Sequence, residues 1–274
     1  MREVVIVSVA RTPIGNLSGV LASLTATQLG SHVIKAAVER AGISPDLVQE
    51  VIMGNVLTAN NGQAPARQAA LGAGLSKHVV CTTINKVCAS GMKAIMLAAQ
   101  SIALGDNDIM VAGGMESMTN APHYLPAMRG GIRYGAGNVI DAIVRDGLQD
   151  PYDSSMMGNC GEVCAKERNI TREEQDAFSV ESYARARAAH ANGWFDNEIA
   201  PIEIASRNGS TTITRDEEVD NTRLSDMASF TKMRPAFDKS GTITAANASK
   251  INDGAAAIVL MSADKAKELG LQPL

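Results

Sequence analysis

The run VCASGMKAIMLAAQSIAL, residues 87 to 104, covers roughly five helical turns and carries a single charge, Lys93. A helix at a protein surface keeps one polar side in water, whereas this one is apolar or small on nearly every face. It has to be covered all round, which demands a layered fold with material on both sides of it. Lys93, Gln100 and Ser101 interrupt the run and argue against a bilayer span. No second sheet that would cover the far side is evident in the chain, so that layer is expected from a longer protein or from a partner.

The order of elements supplies the near side. Residues 3 to 9 (EVVIVSV) read as a buried strand, and 26 to 41 as a helix with apolar residues recurring every three and four positions, stopped by Gly42. A strand over 48 to 57, a small-residue helix over 64 to 74, a strand over 78 to 85, the long helix from Cys88 and a strand over 108 to 114 follow. This alternation predicts an α/β fold, a mixed, mostly parallel sheet with helices on both faces. Residues 115 to 161 are rich in Met, Gly, Pro and Asn with weak periodicity and read as loop-dominated. A helix returns over 171 to 192, with Thr171 as N-cap, Glu174 three residues on and Gly193 as stop. Strands around a polar turn (198 to 220), then a loop, a strand over 255 to 261 and a last helix complete the pattern. A chain that leaves its sheet near 115 and re-enters it near 250 divides into an N-terminal α/β half (1–114), an insertion (115–250) and a return to the α/β half (251–274).

With 25 basic and 29 acidic residues, no Lys/Arg block and no aromatic interleaving, the chain has no footprint for a nucleic-acid partner. Its opening MREVVIVSVA is already a strand pattern, which leaves no room for a signal or transit peptide and points to the cytoplasm. Four cysteines, Cys81, Cys88, Cys160 and Cys164, do not make a disulfide framework in a chain of this size. Cys160 and Cys164 have helical spacing but no further ligands grouped with them, so two buried thiols are expected in place of a metal site. His32, His78, His123 and His190 lie in unrelated contexts and read as packing or surface residues.

Cys88 is different because it precedes a helix. Unpaired N–H groups and the positive end of the helix dipole favour a thiolate there, and the same groups can hold the oxyanion that forms when sulfur attacks a carbonyl. The competing interpretation is a small buried hydrophobe. Ser90 and Gly91 leave the approach uncrowded.

The segments RTPIGNLSGVLASLTATQLG (11–30), GNVLTANNGQAPARQAAL (54–71), INKVCASGMKAI (84–95), AGGMESMTNAPH (112–123) and TAANASKINDGAAA (244–257) resemble, in order, the signature stretches of the thiolases, specifically acetyl-CoA C-acetyltransferases of the biosynthetic type. The resemblance implies the N-terminal half and the loop domain of a thiolase-like layered fold. It implies that Cys88 attacks an acyl-CoA thioester and carries the acetyl group, which the enolate of a second acetyl-CoA takes up to give acetoacetyl-CoA and CoA; thiolysis is the reverse. Coenzyme A is then substrate and product, and no cofactor is implied. The insertion resembles the loop domain that lays the pantetheine arm down to the thiol, and Met157, Arg223, Ala248 and Ser249 fall where the family contacts CoA. At Met156 the family usually has histidine. Residues 120–135 resemble a loop that reaches neighbouring subunits, implying a homodimer or homotetramer. Some members hold potassium near positions matching Tyr183, Ala245, Ala246 and Ala248; for this chain the metal stays unassigned.

Thiolases place their proton-transfer groups on an Asn-Glu-Ala-Phe segment, a Gly-His-Pro segment and a second cysteine in a Gly-rich loop, none of which occurs in these residues. The expectation is therefore a chain without the C-terminal half, which would also cover the apolar helix, and an isolated piece that lacks turnover. A non-catalytic CoA-binding or dimerisation module with a structural Cys88 is the alternative, with redox sensing behind it.

Overall fold

The computed structural model of the chain describes every residue except 207, 208, 222, 223 and 225. In chain order it runs β1 (Val4–Arg11), β2 (Gly15–Asn16), α1 (Ala26–Ala41), β3 (Glu50–Gly54), α2 (Pro65–Gly72), β4 (Val80–Ile84), α3 (Ser90–Leu104) and β5 (Ile109–Ser117). There follow β6 (His123–Tyr124), β7 (Ile140–Asp141), α4 (Met157–Arg168), α5 (Arg172–Ala191), β8 (Ile202–Ser206), β9 (Gly209–Ile213), α6 (Met227–Thr231), β10 (Asn252–Ser262) and α7 (Ala263–Glu268). Local chemistry sets the helix ends. Thr25 and Gln28 close a reciprocal capping box on α1, which stops at Gly42 in the left-handed region; Thr171 and Glu174 do the same for α5.

Contacts divide the chain into two units. The first holds Met1–Ala121, Asn197–Arg215 and Asn252–Leu274. Its sheet has the order β1-β10-β5-β3-β4, with β10 antiparallel to β1 and β5 while β5, β3 and β4 are mutually parallel. Four of these five strands thus point one way and β10 alone points back. Alternation at period two sorts the side chains. Val51, Met53, Val111, Val259 and Met261 join α1 and α2 in one core, and Ile52, Met110, Ala112 and Leu260 join Ala94, Ala98 and Ile102 of α3 in another. The ladders set Gly54 beside Gly114 and Gly114 beside Ala256. A Cβ at Gly113 would lie 2.0 Å from the Ala256 carbonyl oxygen, so β5 and β10 come together only because that side chain is absent.

The structure corrects two expectations in this unit, the start of α3 and the place of the β8–β9 hairpin. Helix α3 begins at Ser90, not Cys88, and the unit buries only its Ser90, Ala94, Ala98 and Ile102 positions, leaving Met92 68% and Leu104 72% exposed. The run Val87–Leu104 is, by length and composition, apolar enough for a bilayer span. Yet the helical part has 15 residues, about 22 Å at 1.5 Å per residue against a hydrocarbon core of about 30 Å, and one stripe of it is packed on the sheet. The β8–β9 hairpin, placed by texture in the insertion, belongs to the first unit because Ile202 is buried in the α1 core with Ile204 and Ile213 against it.

The second unit is Pro122–Asp196 with Asp216–Ile251. Its core gathers Leu224, Phe230 and Ala246 with Val180, Tyr183 and Met233 packed against them, and the Tyr183 and Phe230 rings meet edge to face at 6.0 Å. The stretch read as loop-dominated contains the β6–β7 pair and the start of α4.

Candidate functional site

In the first unit, Cys88 sits in the turn between β4 and α3, two residues ahead of the helix, with its thiol exposed. The turn is tightly tied. Asn85 Oδ1 accepts the Val87 N–H at 2.8 Å. Ser90 Oγ donates to the Val87 carbonyl at 2.6 Å and accepts the Lys86 N–H at 2.8 Å. Val87 is held at φ 49°, left-handed backbone that a β-branched residue rarely takes. The helix start rests on β3 through Gly54: a Cβ there would meet Ser90 Cβ at 2.6 Å and the Gly91 nitrogen at 2.8 Å.

Cys88 lines a cavity of about 340 Å³ with Val87, Ser90 and Gly91, the end of β3 and its exit (Gly54, Asn55, Val56), Gly114, Met115 and Glu116 of β5, Gly254, Ala255 and Ala256 of β10, and Arg11 and Ile14. Parallel strands commonly place ligands at their carboxyl ends, and the register Gly54–Gly114–Ala256 forms this floor. Among the described residues that line the cavity, Glu116 is the one carboxylate. It accepts the Val56 N–H at 2.8 Å, the Leu57 N–H at 3.1 Å and Asn55 Nδ2 at 2.6 Å, which fixes the exit of β3. Burial pushes its pKa up, and these hydrogen bonds recover part of the shift.

In the second unit, Met157, Ala248 and Ser249 come together on another cavity of about 340 Å³, with Met156, Gly158, Gln175, Phe237, Ile243 and Asn247 among its walls. Arg223 lies outside the described residues. The 244–249 loop is bound by its own side chains. Asn247 Oδ1 accepts the Thr244 N–H at 2.7 Å, and Asn247 Nδ2 donates to Asp176 at 2.8 Å. Asp176 is fully buried and receives Arg172 Nε at 2.7 Å, while Arg172 Nη2 also reaches the Phe230 carbonyl at 2.7 Å. Beside the loop, Tyr183 donates to Glu218 at 2.6 Å, and burial together with that carboxylate raises the phenol's pKa. Cys160 and Cys164, expected buried, are both exposed. Among the described residues no group of three or more His, Cys, Asp or Glu is placed to hold a metal.

Reasoning from the sequence missed Glu116, Asn55 and Arg11 at the first cavity and Asp176 behind the second. A signal existed for Glu116, a carboxylate closing an otherwise uncharged strand run. Asn85, missed as well, carried the spacing of an Asx turn two residues before a bulky residue. Asp176 gave none, since an acid in the first turns of a helix ordinarily faces water.

The thiolase N-terminal domain model matches residues 4–264. This chain belongs to the thiolase family. Acetyl-CoA acetyltransferase 1 of Arabidopsis thaliana is 56% identical over 271 residues, 98% of this thiolase chain and 65% of the relative. A cytosolic acetyl-CoA acetyltransferase of Gibberella zeae is 54% identical over 273 residues, covering 99% of this chain and 68% of the relative. The mitochondrial acetyl-CoA acetyltransferase B of Xenopus laevis is 54% identical over 275 residues, covering 100% and 64%. This thiolase chain thus spans about two thirds of the length of the relatives it matches, and two of their names give a compartment, the cytosol in one and the mitochondrion in the other.

Proposed function

We propose that Cys88 is the acyl-accepting nucleophile of an acetyl-CoA C-acetyltransferase. The observation that carries the proposal is an exposed thiol on the wall of a cavity at the carboxyl ends of β3 and β5, just ahead of a helix start. Sulfur attacks the thioester carbonyl of acetyl-CoA, the new S–C bond forms, the bond to the CoA sulfur breaks, and the proton of the Cys88 thiol ends on the departing CoA thiol. One thioester replaces another, so the step is close to thermoneutral and suits a thiol better than a hydroxyl. Charge on the carbonyl oxygen develops near the positive end of α3, which favours it. Condensation of the acetyl group with the enolate of a second acetyl-CoA gives acetoacetyl-CoA and CoA. That step needs a base to take the α-proton, and the segments expected to supply it are not in these 274 residues. The chain by itself is accordingly proposed to accept acetyl without completing turnover.

Met157, Ala248 and Ser249 are proposed CoA contacts, supported by their convergence on one cavity; Arg223 is carried by the resemblance alone. A homodimer or homotetramer and a cytoplasmic location complete the proposal, to be read from sedimentation and cell fractionation. The deciding experiment is incubation of the chain with acetyl-CoA followed by peptide mass spectrometry. An acetyl group on Cys88, lost in Cys88→Ala and not found on Cys160 or Cys164, supports the assignment. An intact Cys88 thiol at forcing acetyl-CoA concentrations overturns it in favour of a non-catalytic CoA-binding or dimerisation module.

A further inference from the structure

We infer that Asn85 and Ser90 are positioning residues that aim Cys88, by clamping Val87 in the left-handed backbone region from both sides. The inference rests on the acyl-accepting role of Cys88. Val87 is a β-branched residue at φ 49°, a conformation its own side chain disfavours. Packing does not impose it, because Val87 is 53% exposed. Hydrogen bonds do. Its N–H is held by Asn85 Oδ1 at 2.8 Å, and its carbonyl receives both the Ser90 hydroxyl at 2.6 Å and the Ser90 N–H at 3.0 Å. Ser90 also accepts the Lys86 N–H at 2.8 Å, so one hydroxyl bridges the two residues that precede Cys88.

The two clamps are anchored at different points of the β3 exit. Ser90 is 4% exposed, seated where Gly54 lacks a Cβ. Asn85 lies beside the exit of β3, its Nδ2 3.5 Å from the Val56 carbonyl, and the Val56 N–H is in turn held by Glu116. If either clamp is released, a valine at position 87 relaxes toward negative φ, and the peptide that carries Cys88 turns with it. A glycine at the same position would take positive φ without penalty and would not depend on the clamps. The valine therefore makes the thiol's direction conditional on Asn85 and Ser90.

The test is a double-mutant cycle on the 274-residue chain, read by single-turnover acetylation of Cys88 with acetyl-CoA and by iodoacetamide labelling, with Cys160 and Cys164 as internal reference thiols. Asn85→Ala is expected to lower the maximal acetylation rate about 10- to 100-fold while the half-saturating acetyl-CoA concentration stays within about twofold. Asn85→Ser, whose hydroxyl can make the same turn bond without adding charge, is expected to recover most of the rate. In the Val87→Gly background, Asn85→Ala is expected to cost less than about threefold. The inference is overturned if folded Asn85→Ala acetylates within about twofold of the parent chain, or if its loss is undiminished in the Val87→Gly background. Should Asn85→Ala not fold, Ser90→Ala run through the same cycle decides between the same two results. Should the parent chain form no acetyl adduct, the assignment of function fails separately. The clamp is then judged by iodoacetamide alone: a shifted Cys88-to-Cys160 labelling ratio in Asn85→Ala supports it, and an unchanged ratio overturns it.

Discussion

Gly54→Ala puts the packing of the helix start on β3 to a quantitative test. The new Cβ would lie 2.6 Å from Ser90 Cβ, 2.7 Å from the Ser90 carbonyl carbon and 2.8 Å from the Gly91 nitrogen. Two of these three atoms are backbone, so no side-chain rotation relieves the clash, and Ser90 is itself buried. Ordinary contact begins near 3.4 Å, so the first turn of α3 has to retreat by about 0.8 Å. Overpacking of this kind costs about 1–3 kcal/mol, which lowers the melting temperature by about 2–12 °C for a domain of this size. A displacement near 1 Å beside a reacting atom lowers rate by up to about 100-fold, so acetylation of Cys88 should fall along with stability. Gly91→Ala is the control: its Cβ would approach nothing closer than 3.7 Å, and alanine in a helix gains up to about 1 kcal/mol over glycine. Melting by scanning fluorimetry and peptide mass spectrometry on the two variants decide the matter. If Gly54→Ala melts and acetylates like the parent chain, α3 is not seated on β3 as described.

Asp176→Ala takes the carboxylate from the part-buried Arg172 guanidinium, which keeps its bonds to the Phe230 and Met233 carbonyls, and should destabilise the second unit by about 1–3 kcal/mol, measured by urea unfolding. It also removes one of the hydrogen bonds that hold Asn247, so CoA binding by calorimetry should weaken in the variant. Tyr124 donates to Asp146, and that carboxylate together with burial pushes its pKa up to about 12 from the ordinary 10.0. Because the folded form keeps its proton to higher pH, the resulting stability is present below the ordinary value and lost as pH rises through about 12. In Asp146→Asn the tyrosinate absorbance attributed to Tyr124 should appear at lower pH than in the parent chain. Ellman's reagent should modify the exposed thiols Cys88, Cys160 and Cys164 quickly and Cys81 slowly, since burial raises the pKa of the Cys81 thiol. A single phase for all four would contradict the half-buried placement of Cys81.

The sequence alone determined what lies within a few residues of its cause. The starts of α1 and α5 follow from Thr25 with Gln28 and from Thr171 with Glu174, because these caps are made by side chains bonding backbone three positions away, and the end of α1 follows from Gly42. The α/β alternation followed from hydrophobic period, and the family from motif wording around Cys88. The tertiary structure decided the rest. It took Cys88 out of the helix, since the left-handed turn at Val87 depends on the buried hydroxyl of Ser90 and on Gly54 beneath it. It brought Glu116 to the Cys88 cavity and moved the Ile202 hairpin into the first unit, because both depend on which strands and cores become neighbours. Period two tells which face a residue takes; it does not tell that Gly54, Gly114 and Ala256 will stand abreast. That register is set by ladders between segments far apart in the chain, and the cavity exists only once they have closed.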